Sequence, residues 1–176
     1  MRPPEGSIAS SPLDEGEIEL TVDCLIDGEI SPLLHDVVEV GDELEVRGPL
    51  TEYFTWQGSS PLLLIGGRSG IVPLMSMLRH RRRALPQVPV HLLYSVPSPD
   101  DVFYRSELGA ETTLTYTRRM PEAWTGATGR INAELAWPDG RAYVCGTNGF
   151  VETATDLLME YGYEPARIRT ERFGPS

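Results

Sequence analysis

Hydrophobic and polar positions along the chain follow two regimes that meet near residue 60. Before it, the stretch EIELTVDC sets Ile18, Leu20, Val22 and Cys24 on one side and Glu19, Thr21 and Asp23 on the other, the period of a half-buried strand. ELEVRG repeats that alternation with Leu44 and Val46, after a turn at Gly41-Asp42. Both stretches are expected to be strands of an antiparallel sheet with one wet face. Between them, DGEISPLLHDV holds a turn at Asp27-Gly28, then Ser31 as an N-cap and Pro32 at the first helical position. This predicts a short helix whose N-terminus is open to an anion.

After residue 60 the apolar runs become continuous and alternate with amphipathic stretches. Strands are expected over 61–65, 88–95, 112–117 and 141–145, with a last one through 168–173. Helices are expected near 71–83, 100–108 and 148–161, with a weaker piece around 132–135. Such alternation predicts an α/β fold, a doubly wound parallel sheet of five strands covered on both faces.

Two of these strands run into glycines. One ends in Gly66-Gly67-Arg68-Ser69-Gly70, the other in Cys145-Gly146 of YVCGTNGF. A doubly wound sheet binds ligands outside the carboxyl ends of its strands, where the crossovers diverge. Glycine lets a phosphate approach the backbone amides there, and the helix that follows offers unpaired N–H groups and a positive dipole end. For one corner alone, a tight turn that binds nothing is an equal reading, because the spacing is not G-x-G-x-x-G. Two corners on neighbouring strands would face one crevice. Cys145 would stand at its mouth, unless it is simply a small buried hydrophobe.

Composition narrows the function classes. The 176 residues suffice for one domain or two small ones, and 40% hydrophobic with 23% charged residues is globular. No apolar run is long enough to span a bilayer, and MRPPEGSIASS lacks the apolar centre of a secretory signal, so a cytoplasmic protein is expected. A net charge of −11 argues against general nucleic-acid binding. Cys24 and Cys145 match no zinc spacing and are expected to be thiols; His35, His80 and His91 are scattered, so no metal site is expected. Every basic residue is arginine. RHRRR, 79–83, reads as a solvated helix end or as a docking patch for an acidic electron carrier. Trp56, Trp124 and Trp137 read as packing or loop anchors.

The ordered set GEISPLLHDVVEVGDELEVRGP, PLLLIGGRSGIVPLMSMLRH, YVCGTNGFVE and RIRTERFGPS resembles the ferredoxin:NADP reductase superfamily, in particular its bacterial flavin-containing NAD(P)H oxidoreductases. The resemblance spans nearly the whole chain. It implies an NAD(P)H-binding α/β domain over 59–176 and, over 1–58, a partial antiparallel FAD-binding β-barrel that is N-terminally shortened. It further implies that hydride passes from NAD(P)H to FAD, and electrons then pass to an acceptor such as a ferredoxin or a small molecule.

By the same resemblance, Gly66, Gly67, Ser69 and Gly70 would take the NAD(P)H pyrophosphate, with Arg68 where relatives have a small residue. Cys145 and Gly146 would lie beside the nicotinamide, the thiol positioning the ring without acting as a nucleophile. Gly28, Ile30 and Ser31 would cradle the FAD pyrophosphate. Ser7 matches the end of the flavin motif R-x-Y-S, whose arginine and tyrosine places hold Pro4 and Gly6, and would reach the flavin's reacting nitrogen. Phe173 would approach the flavin. Ser95, Thr117 and Arg118 would choose the nucleotide, Arg118 leaning toward NADPH because a guanidinium suits a 2′-phosphate; a solvated surface arginine is the alternative. Thr147 stands where relatives have proline. Two other readings stay open: a non-catalytic NAD(P)H-binding module that does not retain FAD, and a subunit completed by a partner chain.

Overall fold

The structure, a computed structural model, describes residues 7–22, 31–45, 53–58, 60–132 and 140–173. Its centre is a five-stranded parallel sheet of β3 (Leu62–Gly67), β4 (Val90–Val96), β5 (Thr112–Tyr116), β6 (Arg141–Gly146) and β7 (Ile168–Arg172), in the spatial order β5-β4-β3-β6-β7. Helix α2 (Ile71–Ala84) covers one face and α3 (Asn148–Glu160) the other. Ahead of them come a two-residue antiparallel ladder, β1 (Ser7–Ile8) with β2 (Leu20–Thr21), and the short helix α1 (Ser31–Asp36).

The unbroken apolar run at Leu62–Gly67 exists because β3 is the central strand and has no wet face. Its residues alternate between two cores. Leu62 and Leu64 pack with Leu92, Tyr94, Tyr143 and the α2 stripe Ile71, Leu74, Met75 and Leu78. Leu63 and Ile65 pack with Leu93, Val144 and the α3 stripe Val151, Ala154 and Leu158. Strand period 2 meets helix period 3.6 on each side, which is the arrangement the patterning predicts.

The 100–108 helix is not formed. Two 3₁₀ turns, Pro99–Asp101 and Arg105–Glu107, stand in its place, separated by an extended Val102 and a left-handed Tyr104. The reason is tertiary: the buried Tyr94 hydroxyl accepts the Phe103 N–H at 3.1 Å and donates to the Asp101 carbonyl at 3.3 Å, which pins the loop onto β4. Asn132 is irregular, and the rest of the weak 132–135 piece lies outside the described residues.

The N-terminal part departs further from the pattern. In EIELTVDC the ladder takes in Leu20 and Thr21 alone, and Ile18, Leu20 and Val22 are exposed, Ile18 by 59%. Leu44 is exposed and in no strand; Cys24 and Val46 lie outside the described residues. What this segment buries is its inner turn, Ala9, Ser10 and Ser11, and the ties are polar. The Ser10 hydroxyl accepts the Glu19 N–H (3.1 Å), while Ser76 and Arg79 of α2 donate to the carbonyls of Ser10 (2.7 Å) and Ala9 (2.8 Å).

The arginine run is neither a solvated helix end nor a free basic patch. Arg79 makes a bidentate pair with Glu107 (2.9 and 2.6 Å) and reaches Glu19 (2.9 Å), with Tyr104 under its guanidinium. Arg81 donates to the carbonyls of Val88 and Pro86, both at 2.7 Å, closing the turn after α2. Arg82 holds the Glu107 carbonyl and Glu111, and Arg83 holds Asp14. Trp56 is in the α2-side core and Trp124 packs edge-on against Tyr116 at 4.8 Å, as anchors should; Trp137 lies outside the described residues. Among the described residues no helix is long and apolar enough to cross a membrane.

Candidate functional site

The strand order brings the two glycine corners together. Gly66 of β3 pairs with Cys145 of β6, and from β3 the chain crosses to β4 on one side and later returns to β6 on the other. This is the switch point at which an open parallel sheet leaves a crevice. β3 runs into a 3₁₀ turn, Arg68–Gly70, and then α2; β6 runs through Thr147 into α3. Neither helix has a side-chain cap on its N-terminus or an acidic residue in its first turn. The amides of the 3₁₀ turn ahead of α2 and of the first turn of α3, with two positive dipole ends, are therefore brought together at the switch point.

The glycines are needed for packing as well as for access. A β-carbon on Gly70 would lie 2.6 Å from the Cys145 carbonyl carbon and 2.9 Å from the Gly146 nitrogen, so the turn can rest on β6 only without one. Phe150, on the first turn of α3, fills the space where β-carbons on Gly67 and Gly146 would be. Thr147 has φ −64°, within the window that proline imposes, so threonine in that place keeps the geometry of the turn.

Arg68 is the cation of the corner. It is a non-glycine residue at φ +51°, a conformation that costs an L-residue about 1 kcal/mol. Its guanidinium reaches over the end of β4 to Asp101 at 3.1 Å. The other Asp101 carboxylate oxygen accepts the Ser98 hydroxyl at 2.7 Å.

Cys145 is a buried free thiol on the α2-side core. Burial pushes its pKa well above the usual thiol range, and the Glu171 carboxylate on the adjacent strand adds to the rise. The thiol is neutral at physiological pH and is no nucleophile. Iodoacetamide at pH 8 is expected to leave Cys145 unmodified in the folded protein and to label it fully after denaturation; peptide mass spectrometry separates it from Cys24. Labelling of native Cys145 at the unfolded rate would contradict the buried placement.

Of the other residues singled out, Phe173 donates its N–H to the Gly146 carbonyl at 3.2 Å and packs on the α2-side core, so it stands at the β6 end of the crevice. Ser95 is buried between Gly67 and Thr115. Thr117 turns its hydroxyl back to the Val96 carbonyl (3.4 Å). Arg118 is exposed, with its N–H on the Pro97 carbonyl (3.1 Å), while neighbouring Arg119 pairs with Asp100. Ser69 is half-buried in the turn. Ser7 belongs to the hairpin docked on α2, opposite Thr21, whose hydroxyl bonds to Tyr104. Ser31 opens α1; Gly28 and Ile30 lie outside the described residues. Phe150 and Asp101 were not legible as site residues. Phe150 follows Gly146 by one helical turn, a faint signal, and Asp101 had none. Among the described residues no three His, Cys, Asp or Glu are grouped to hold a metal.

Residues 64–156 match the family model of the oxidoreductase NAD-binding domain. The chain belongs to this family. The superfamily is that of the ferredoxin reductases, as the motif order implied. Among curated relatives of this NAD-binding domain chain, the glycine betaine monooxygenase reductase subunit of Pseudomonas aeruginosa is 30% identical, covering 97% of this chain and 51% of the relative. The propane 2-monooxygenase reductase component of Rhodococcus jostii is 28% identical over 95% of this chain and 50% of its own. The chain thus spans about half the length of the curated relatives it matches. Among solved structures, the FAD/NAD-binding domain of nitric oxide dioxygenase from Vibrio cholerae superposes with a TM-score of 0.75 at 28% identity, covering 84% of this chain and 65% of that one. The ferredoxin reductase of carbazole 1,9a-dioxygenase reaches 0.82 at 24% identity over 96% of this chain and 55% of that one, a likeness of fold.

Proposed function

We infer that this chain is the NAD(P)H-binding part of a flavin-dependent reductase, in which hydride moves from NAD(P)H to FAD and electrons go on to an acceptor. The observation that carries the reading is the β3–β6 switch point, with four glycines, two helix starts without a side-chain cap and no acidic residue in either first turn. Those features fit a dinucleotide pyrophosphate. Backbone amides of Gly67 to Gly70 and of Asn148 would bind it, while Cys145 and Gly146 would set the nicotinamide plane and the buried thiol would keep water from that side. Arg118, exposed beyond β5, favours NADPH over NADH.

For FAD, Phe173 at the Gly146 end fits a flavin beside the nicotinamide. When bound, FAD supplies the hydride acceptor and releases electrons singly or in pairs. Ser7, Gly28, Ile30 and Ser31 are the residues assigned to it, within an FAD-binding domain that takes in 1–58, with 59–176 as the NAD(P)H domain. The acceptor is a ferredoxin, an oxygenase component or a small molecule, in keeping with the oxygenase systems named for the relatives. Because Arg79 to Arg83 are engaged within the chain, acceptor docking does not rely on them. The setting is the cytoplasm.

Calorimetric titration with NADPH and with NADH, followed by ferricyanide reduction in excess FAD, tests the reading. Binding, tighter for NADPH, together with FAD-dependent reduction is the expected result. Absence of any heat with either nucleotide would refute it, and binding without reduction would favour the non-catalytic module.

A further inference from the structure

We propose that Arg68 and Asp101 form an exchangeable latch over the dinucleotide site: Asp101 holds the guanidinium while the site is empty, and the pyrophosphate of the incoming nucleotide takes it over. The inference rests on the NAD(P)H reading above and adds to it a residue pair that sets affinity.

Position comes first. A nucleotide with its nicotinamide at Cys145 on β6 and its other end toward Ser95 and Thr117 must cross the end of β3, since β3 and β4 lie between β6 and β5. At a spacing near 4.8 Å per strand, that path is about 14 Å long. Arg68 is the first residue beyond β3 and stands on that path. Its left-handed backbone sends the side chain toward β4, along the direction in which the nucleotide would extend.

Mobility comes second. The Arg68 side chain is 51% exposed, and its ion pair is a single contact of 3.1 Å. Asp101 is the fixed member: its side chain is 21% exposed, its second oxygen holds Ser98, and its carbonyl is tied to the Tyr94 hydroxyl. When the partners exchange, the arginine moves and the aspartate stays. A one-point pair of this exposure is weak, whereas a pyrophosphate carries more charge and accepts the planar fork of a guanidinium from two oxygens. The carboxylate therefore acts as a built-in competitor that neutralises the corner when no nucleotide is present and lowers apparent affinity by the fraction of time it holds Arg68.

The test is calorimetry with NADH and NADPH on the wild-type chain, Asp101→Asn, Arg68→Gly and the double variant, with thermal melts to confirm folding. Asp101→Asn is expected to tighten both nucleotides by about threefold to tenfold. Arg68→Gly is expected to weaken both by about tenfold, with Arg68→Lys between it and the wild type. In the Arg68→Gly background, Asp101→Asn should have no further effect, which is the signature of a shared partner. Unchanged or weaker binding in Asp101→Asn, or the same gain in both backgrounds, would overturn the latch while leaving the functional reading intact. A loss in Arg68→Gly confined to NADPH would overturn the pyrophosphate assignment. If the wild-type chain binds neither nucleotide, the functional reading falls and the latch falls with it.

Discussion

Gly70→Ala is expected to destabilise the protein by about 3 kcal/mol and to remove measurable nucleotide binding. The added methyl would meet the Cys145 carbonyl carbon at 2.6 Å and the Gly146 nitrogen at 2.9 Å. Both are backbone atoms inside the parallel ladder, where β6 is held by β3 on one side and β7 on the other. No rotamer change can relieve the contact. Either the 3₁₀ turn lifts away from β6, or the ladder yields near Gly66–Cys145, and each route spoils the crevice. Gly70 itself has ordinary right-handed dihedrals, so the effect isolates close approach from backbone strain. Gly149→Ala is the matched control: it lies in α3 with open space around its β-carbon position, and alanine there should be neutral or stabilising by up to about 1 kcal/mol. Urea unfolding of the two variants, with calorimetric titration of NADPH, reads both effects. A Gly70→Ala cost under about 1 kcal/mol would show that the turn separates easily from β6.

Arg79→Met is expected to release the N-terminal hairpin from the α/β body at a cost of about 2 kcal/mol, between the values for exposed and for buried ion pairs. Arg79 joins α2 to two segments distant in sequence, the hairpin through the Ala9 carbonyl and Glu19, and the loop after β4 through the bidentate Glu107. Methionine keeps most of the stem but leaves Glu107 and the Ala9 carbonyl without this partner. Lysine should rescue only in part, because an ammonium cannot reproduce the fork. Hydrogen exchange of residues 7–22 is the direct readout, and it should rise sharply in Arg79→Met while the central strands stay protected. Unchanged protection would show that the Ser76, Arg83 and Tyr104 contacts hold the hairpin without Arg79.

The same contact makes docking sensitive to acid. The Arg79 guanidinium holds the Glu107 carboxyl below its usual range, against the opposing effect of burial, and Arg83 does the same for Asp14. A carboxyl whose folded pKa is depressed contributes stability that is present above its unfolded pKa, near 4, and lost as pH falls through the folded value. Arg79 keeps its charge throughout, because its partners push its pKa further up. Protection of the hairpin should therefore hold at neutral pH and decline below about pH 4, with a flatter profile in Arg79→Met.

Legibility from sequence differs between the two regimes of the chain. In 60–173 the continuous apolar strands and the helix stripes identified every strand of the parallel sheet and both covering helices, because burial on two faces leaves little freedom in residue choice. The 100–108 segment was misread because Tyr104 and Leu108 stand one helical turn apart, whereas the tie of Asp101 and Phe103 to the distant Tyr94 hydroxyl holds Val102, Phe103, Tyr104 and Leu108 on the α2-side core around two 3₁₀ turns. In 7–22 the alternation of Ile18, Leu20 and Val22 pointed to a buried face, but the described structure leaves those side chains exposed and attaches the segment through serines and arginines. Polar attachment has no period, so no pattern announces it.

Taken alone, the sequence determined the parallel α/β sheet, the positions of the glycine corners and the family, since these depend on local propensity, burial period and motif order. Only the tertiary structure decided that the two corners adjoin, that Gly70 must lack a side chain because β6 lies against it, and that the arginine run is spent within the chain. It alone paired Arg68 with Asp101. Each of those facts depends on residues far apart in sequence arriving at one place, and short-range patterning carries no information about which distant partner a charged or small residue will meet.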